Sequence, residues 1–140
     1  MEQILSSEDA RPGSALPELS FGPISRSLLA QYAGASRDPD PVHIDIDFAR
    51  AAGLPDVFAH GMLSFGIVSR MVTQWCGVEQ LREIGARFVA VTQVHDVITC
   101  HGTVIECFER AGETLARIEV TATTQDGRNA LSGEALVALG

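Results

Sequence analysis

Asp38 and His43 stand five residues apart in the stretch Ser36-Arg37-Asp38-Pro39-Asp40-Pro41-Val42-His43. A carboxylate and an imidazole are side chains suited to moving protons near neutral pH. The two prolines between them fix φ and remove backbone donors, so the loop is rigid, with Asp40 and Pro41 shaping it. In this pattern a neutral His43 can accept a proton from water while Asp38 orients the same water or the ring. The same residues also make an ordinary Asp-Pro turn with His43 on the surface. By spacing alone the turn is the stronger reading, because Asp and His five apart are a weak pattern.

A second candidate lies in Ala59-His60-Gly61-Met62, where a long apolar segment begins. A helix starting at Gly61 presents free N–H groups and the positive end of its dipole, which can stabilise a developing oxyanion. Glycine there lets a substrate carbonyl come close to the backbone. The plainer alternative is an ordinary helix start with His60 hydrogen-bonded locally. Ser69 falls within the same apolar segment. It either lines a pocket or bonds the carbonyl four residues back, the usual habit of a buried helical hydroxyl. His95 and His101 have no acidic or cysteine partner at ligand spacing, so four scattered histidines do not suggest a metal site.

These residues need elements to hold them. Residues 1–14 are polar and weakly patterned, which suggests a loosely held arm before a domain over 15–140. Residues 16–21 read as a short strand closed by Gly22-Pro23. A helix follows over about 25–35, with Ser25 as its N-cap. Another spans about 45–52, capped by Asp45 or Asp47, with Phe48, Ala51 and Ala52 packed inward and Gly53 as its stop. The longest helix covers about 61–76. Its apolar residues, Met62, Leu63, Phe65, Ile67, Val68, Met71, Val72 and Trp75, lie nearly all round the wheel, the pattern of a buried helix.

The second half is rich in β-branched residues. Strands are expected over 86–94, 97–108, 114–124 and 129–139, with turns at 109–113 and at Asp126-Gly127. Four consecutive strands pair most readily as an antiparallel meander. A sheet that must cover a helix on most sides curls around it. The fold class is therefore α+β, a single hot-dog fold, and an exposed sheet edge or face implies dimerisation.

The chain has 140 residues and a net charge of −8, with ten Arg and no Lys. Such a chain forms about one domain and offers no basic surface for nucleic acid. Cys76, Cys100 and Cys107 form no CxxC pair and read as small buried residues in a reducing compartment. The N-terminus lacks a signal-peptide pattern and no stretch is apolar enough to span a membrane. The expected location is cytoplasmic.

Taken together, the motifs resemble the MaoC-like hydratases and dehydratases. That family carries a Gly/Ser-Asp-x-Asn-Pro-hydrophobic-His-x-Asp stretch and a later Ala-His-Gly-Met. Here these stand as Ser36 to Asp45 and Ala59 to Met62, with Ala49 and Tyr32-Ala33-Gly34-Ala35-Ser36 also similar. Within the family the likeness is greatest to the catalytic B-type subunits of the mycolic-acid-pathway dehydratases. Those subunits work beside a non-catalytic partner.

The resemblance implies (R)-specific hydration of trans-2-enoyl thioesters and the reverse dehydration of (3R)-hydroxyacyl thioesters. Asp38 and His43 would be catalytic, Gly61 would supply the oxyanion N–H, and Ser69 and His60 would border the substrate. No cofactor is implied, since CoA or acyl-carrier phosphopantetheine arrives with the substrate. The partners implied are acyl-CoA or acyl-ACP and a second protomer, in a homodimer or larger homo-oligomer, or else a heterodimer.

Two departures stand out. Asp40 replaces the usual Asn and puts a second charge beside Asp38. The later Pro-x-x-x-Gly-Asp stretch keeps only Asp96, which bears on the acyl pocket. Two rivals stay open: a thioesterase on the same fold and a non-catalytic acyl-binding subunit.

Overall fold

The computed structural model describes residues 4–140. The elements run β1 (Leu19–Phe21), α1 (Arg26–Ser36), α2 (Ile46–Ala51), α3 (Gly61–Cys76), β2 (Leu81–Phe88), β3 (Ile98–Arg110), β4 (Glu113–Thr124) and β5 (Asn129–Ala138). Short 3-10 turns occupy Pro41–His43 and Val78–Gln80. The sheet is antiparallel in the order β1-β3-β4-β5-β2. It curls round α3, so the fold is the expected α+β hot dog.

Alternation along the strands builds the concave face. Cys100, Gly102 and Val104 of β3 lie opposite Ala122, Val120 and Ile118 of β4, which continue to Leu131, Gly133 and Ala135 of β5. Leu63, Ile67, Val68, Met71 and Val72 of α3 bury themselves against this face. Gly102 makes room for that contact: a Cβ there would sit 3.2 Å from the Met71 methyl and 3.0 Å from Leu16.

Several expectations need correction. α3 is not enclosed on all sides. Met62, Gly66, Arg70 and Gln74, spaced by four, form an open stripe, and Met62 is 56% exposed. In α2, Asp45 is the cap, its carboxylate accepting from the Asp47 and Phe48 N–H groups. The inward residue is Ala49, whereas Phe48, Ala51 and Ala52 point outward, because a six-residue helix presents only one residue to the core.

The first long strand ends at Phe88 rather than continuing through 94. Its ladder with β5 stops at Phe88–Leu131, and the N–H groups of Val89 and Ala90 both turn to the Ala130 carbonyl. β2 also pairs with β5 instead of β3, so only β3, β4 and β5 form the meander. Residues 89–97 cross from one sheet margin toward the other.

The N-terminal segment also differs from a loose arm. Residues 1–3 lie outside the described residues. Beyond them, Gly13 and Leu16 donate backbone bonds to Val104 and Gly102, and Ser14 accepts from Val104. Ala10 is fully buried. Three-residue β1 is too short to cover the margin of β3, and this segment covers the remainder.

The cysteines are free, and burial pushes the Cys76 and Cys100 thiols up to about 11. Among the described residues no helix is long and apolar enough to cross a membrane.

The 89–97 crossing is fastened at Asp96, which is 4% exposed. Its carboxylate accepts from the Gln93 N–H at 2.7 Å, Gln125 Nε2 at 2.9 Å and Arg128 Nη2 at 2.8 Å. Burial works to raise this carboxyl, but the hydrogen bonds and the Arg128 charge outweigh it and hold the group below its ordinary value. Folded Asp96 therefore stabilises fully above the unfolded value of about 3.9, and this contribution fades as pH falls through the folded value. Asp96→Asn is expected to cost about 1.5–3 kcal/mol at pH 7, the range for hydrogen bonds to a charged group. Urea midpoints at pH 7 and pH 3 check this: the wild type's advantage over the variant should be smaller at the lower pH.

Candidate active site

The Asp38–His43 loop is built by local rules. α1 ends where Arg37 adopts the left-handed conformation, φ 58°, and its N–H returns to the Ala33 carbonyl. The chain then extends through Asp38 and Pro39. Asp40 caps the 3-10 turn, its Oδ1 accepting from the Val42 N–H at 3.1 Å, with Pro41 at the first position. Pro41 suits that site because a helix start needs no N–H there. Capping needs only an acceptor oxygen, which Asp and Asn share, so Asp40 can do the structural work of the expected Asn. Its own N–H reaches toward Asp38 Oδ1 at 3.4 Å.

The turn buries His43 against the segment that leads into α3. Nδ1 of His43 lies 2.7 Å from the Phe58 carbonyl oxygen. A carbonyl can only accept, so Nδ1 carries the hydrogen, and the neutral ring keeps its lone pair on Nε2. Phe58 holds the same ring edge-on, with centroids 4.8 Å apart. Two backbone bonds fix this segment in turn, from the Phe58 N–H to Val42 and from the Ala59 N–H to Thr92.

His60 completes the group. The carboxylate of Asp38 and one nitrogen each of His43 and His60 all lie within 4.8 Å of one another. The His43 and His60 rings stack, with centroids 3.8 Å apart and 24° between planes. In-plane lone pairs of stacked rings run side by side instead of converging on one ion, so the trio suits hydrogen bonding better than chelation. Tyr32 meets His60 edge-on at 4.8 Å. Burial, and after it the Asp38 charge, raise the Tyr32 phenol above its ordinary value.

These residues end a pocket of about 360 Å³. Asp38, His43, His60, Gly61 and Ser64 line its polar end, and Phe58, Met62, Phe88, Val89, Val91 and Ala130 line its apolar walls. No side chain caps α3, and the Leu63 N–H donates to the His60 carbonyl, so the N–H groups of Gly61 and Met62, which border the pocket, are the ones left available. Phe88 lies over Gly61: a Cβ on that glycine would come within 3.0 Å of the ring.

The structure brings the sequence candidates Asp38, His43, His60 and Gly61 together at one pocket. Ser69 does not belong to it. Its hydroxyl donates to the Phe65 carbonyl at 2.8 Å, the ordinary helical bond. Ser64 takes the place at the pocket instead, one turn in from Gly61, a spacing from which it could have been found.

Fold and pocket together define a class: hot-dog proteins with a carboxylate, an imidazole and an uncapped helix start at one end of an apolar cleft. The MaoC-like domain matches residues 12–127, and the chain belongs to that family. It is an enzyme of the hydro-lyase class.

Over 94 residues it is 36% identical to the 3-oxo-4,17-pregnadiene-20-carboxyl-CoA hydratase beta subunit of Mycobacterium tuberculosis, covering 66% of this chain and 71% of the relative. It is 30% identical over 116 residues to the (R)-specific enoyl-CoA hydratase of Rhodospirillum rubrum, covering 81% and 78%. Among solved structures it is similar to a chain of the ChsH1-ChsH2 complex from Mycobacterium tuberculosis. The TM-score there is 0.79 at 27% identity, with 93% of this chain and 98% of that chain covered.

Proposed function

We propose that the protein adds water reversibly to trans-2-enoyl thioesters, giving (R)-3-hydroxyacyl thioesters. The observation that carries this reading is the His43 Nδ1–Phe58 bond, which leaves the Nε2 lone pair unused on a ring clustered with the Asp38 carboxylate at the pocket's end. Asp38 and His43 hold one water. The pair takes a proton from it as its oxygen attacks C3, and returns a proton to C2. The protonation state of the enzyme is thereby restored. Both transfers come from one face, so addition is syn.

The Gly61 N–H faces the thioester oxygen and stabilises the enolate-like charge. The thioester already acidifies C2, so the reaction needs no metal or redox cofactor. CoA or carrier phosphopantetheine enters as part of the substrate, and Phe88, Val89 and Val91 receive the acyl chain. The names of the two curated hydratase relatives support this choice over thioester hydrolysis.

A second protomer belongs to the working unit. Among the described residues β2 pairs on one side only, and Met62, Phe88, Val89 and Val91 leave the pocket rim apolar and exposed. The beta-subunit relative and the two-component complex support a partner of different sequence as well as a second copy.

The test is a series of trans-2-enoyl-CoA substrates from crotonyl-CoA upward, followed by loss of enoyl absorbance, chiral analysis of the product and a free-thiol assay. The (R)-3-hydroxyacyl-CoA without thiol release is the expected outcome. Thiol release or an (S) product would overturn the reading. Light scattering on the same sample gives the assembly state in which activity appears.

A further inference from the structure

His60 is 2% exposed, yet its contacts are an unusual set for a core residue. Its Nε2 lies 3.1 Å from the Asp38 backbone carbonyl oxygen. That oxygen can only accept, so Nε2 carries the hydrogen and the neutral ring has its lone pair on Nδ1. Nδ1 is buried without a partner. An unpaired buried nitrogen is costly, and a hydrocarbon of similar size would avoid that cost. What a hydrocarbon could not do is donate to Asp38.

The ring also stacks face to face on His43 at 3.8 Å, with Tyr32 against its edge. One side chain thus touches both halves of the Asp38–His43 pair: the main chain that carries the carboxylate, and the face of the imidazole. It does so from the first residue before α3, so the same peptide segment fixes the helix start at Gly61.

We propose that His60, as its Nε2–H tautomer, is a positioning residue that holds the Asp38 backbone and the His43 ring in register with each other and with the start of α3. The two stacked imidazoles then carry opposite tautomers, Nδ1–H in His43 and Nε2–H in His60. His60 has no direct part in the reaction, because its donor is spent on Asp38 and its other nitrogen is enclosed. The kinetic part of this proposal rests on the hydration reading, whereas the tautomer part does not.

Two variants separate donation from packing. His60→Phe keeps a flat ring against His43 and removes the donor. His60→Gln carries an amide N–H to about the position of Nε2 and loses the stack. Small misplacements of reacting groups cost up to about 100-fold in rate. His60→Phe is therefore expected to lower kcat about 10- to 100-fold with KM within about twofold, and His60→Gln to recover most of the loss.

A fall in thermal stability with unchanged kcat would mean a merely structural role and overturn the proposal. A rise in KM alone would make His60 a substrate contact and overturn it too. Long-range proton–nitrogen NMR of the wild-type imidazoles gives an arm independent of activity and of how the variants fold. Nε2–H in His60 and Nδ1–H in His43 are expected, and Nδ1–H in His60 would overturn the assignment. If the wild type shows both tautomers but hydrates no enoyl thioester, it is the hydration reading that fails.

Discussion

Asp38→Asn and His43→Gln each lower the rate of enoyl-thioester hydration by about 10²- to 10⁴-fold, the range for loss of a positioned general acid–base group. Asn matches Asp in shape, and its Oδ1 can still accept from the Asp40 N–H that reaches Asp38 at 3.4 Å. The change therefore removes charge and basicity while leaving the loop in place. Asp38 is exposed, so its loss leaves little buried and unpaired. Gln at position 43 can still donate toward the Phe58 carbonyl, which His43 Nδ1 meets at 2.7 Å, but it offers no nitrogen lone pair to water.

Both variants should bind substrate with KM close to the wild type and melt within a few degrees of it. The double variant should be little slower than either single one, because residues acting as a unit are far from additive. Single variants retaining full hydration in a steady-state assay would remove the pair from the mechanism.

The parts of this site that could be read from sequence are those whose information is local. Prolines and an Asp-Pro turn mark the 38–43 loop within six positions, and Gly61 marks the start of α3 directly, whereas the left-handed Arg37 that ends α1 is seen only in the structure. Asp40 departs from the motif, which carries Asn at that position. In the fold it is a capping acceptor, for which a carboxylate serves as well as an amide.

What could not be read depends on partners distant in sequence. His60 gains its meaning from the Asp38 carbonyl and from a ring 17 positions back, and spacing along the chain does not encode either contact. The expected strand lies too far along the chain because Val89, Ala90 and Val91 have the composition of a strand but serve as pocket wall, whereas the mixed run Leu81-Arg82-Glu83-Ile84-Gly85 forms the strand at the sheet margin. Its partner could not be inferred either, since the short-link rule favours β3 and only the crossing fastened at Asp96 makes β5 the neighbour.

The pairing of β2 with β5 supports a second large effect. Gly133→Ala is expected to destabilise the protein by about 3 kcal/mol, at the upper end of the overpacking range. Gly133 lies opposite Ala86, and a Cβ on it would fall 2.0 Å from the Gly85 carbonyl oxygen and 2.7 Å from the Ala86 Cα. These are backbone atoms in the middle of a ladder running from Leu81–Val137 to Phe88–Leu131, so relief requires moving the strand.

For a chain of this size such a loss lowers Tm by roughly 10 °C. Gly85→Ala is the matched control. It changes the neighbouring residue on the same ladder, where an added Cβ meets nothing within 4 Å. It should stay within about 1 kcal/mol of the wild type.

The two variants also separate stability from function, because β2 ends at Phe88, the ring resting on Gly61. A strand pushed off β5 carries that ring with it. Gly133→Ala should therefore lose turnover even well below its own melting temperature, while Gly85→Ala keeps it. Calorimetry and a hydration assay on the pair decide the matter, and equal melting temperatures would show that the β2–β5 contact is not the rigid support that the geometry makes it.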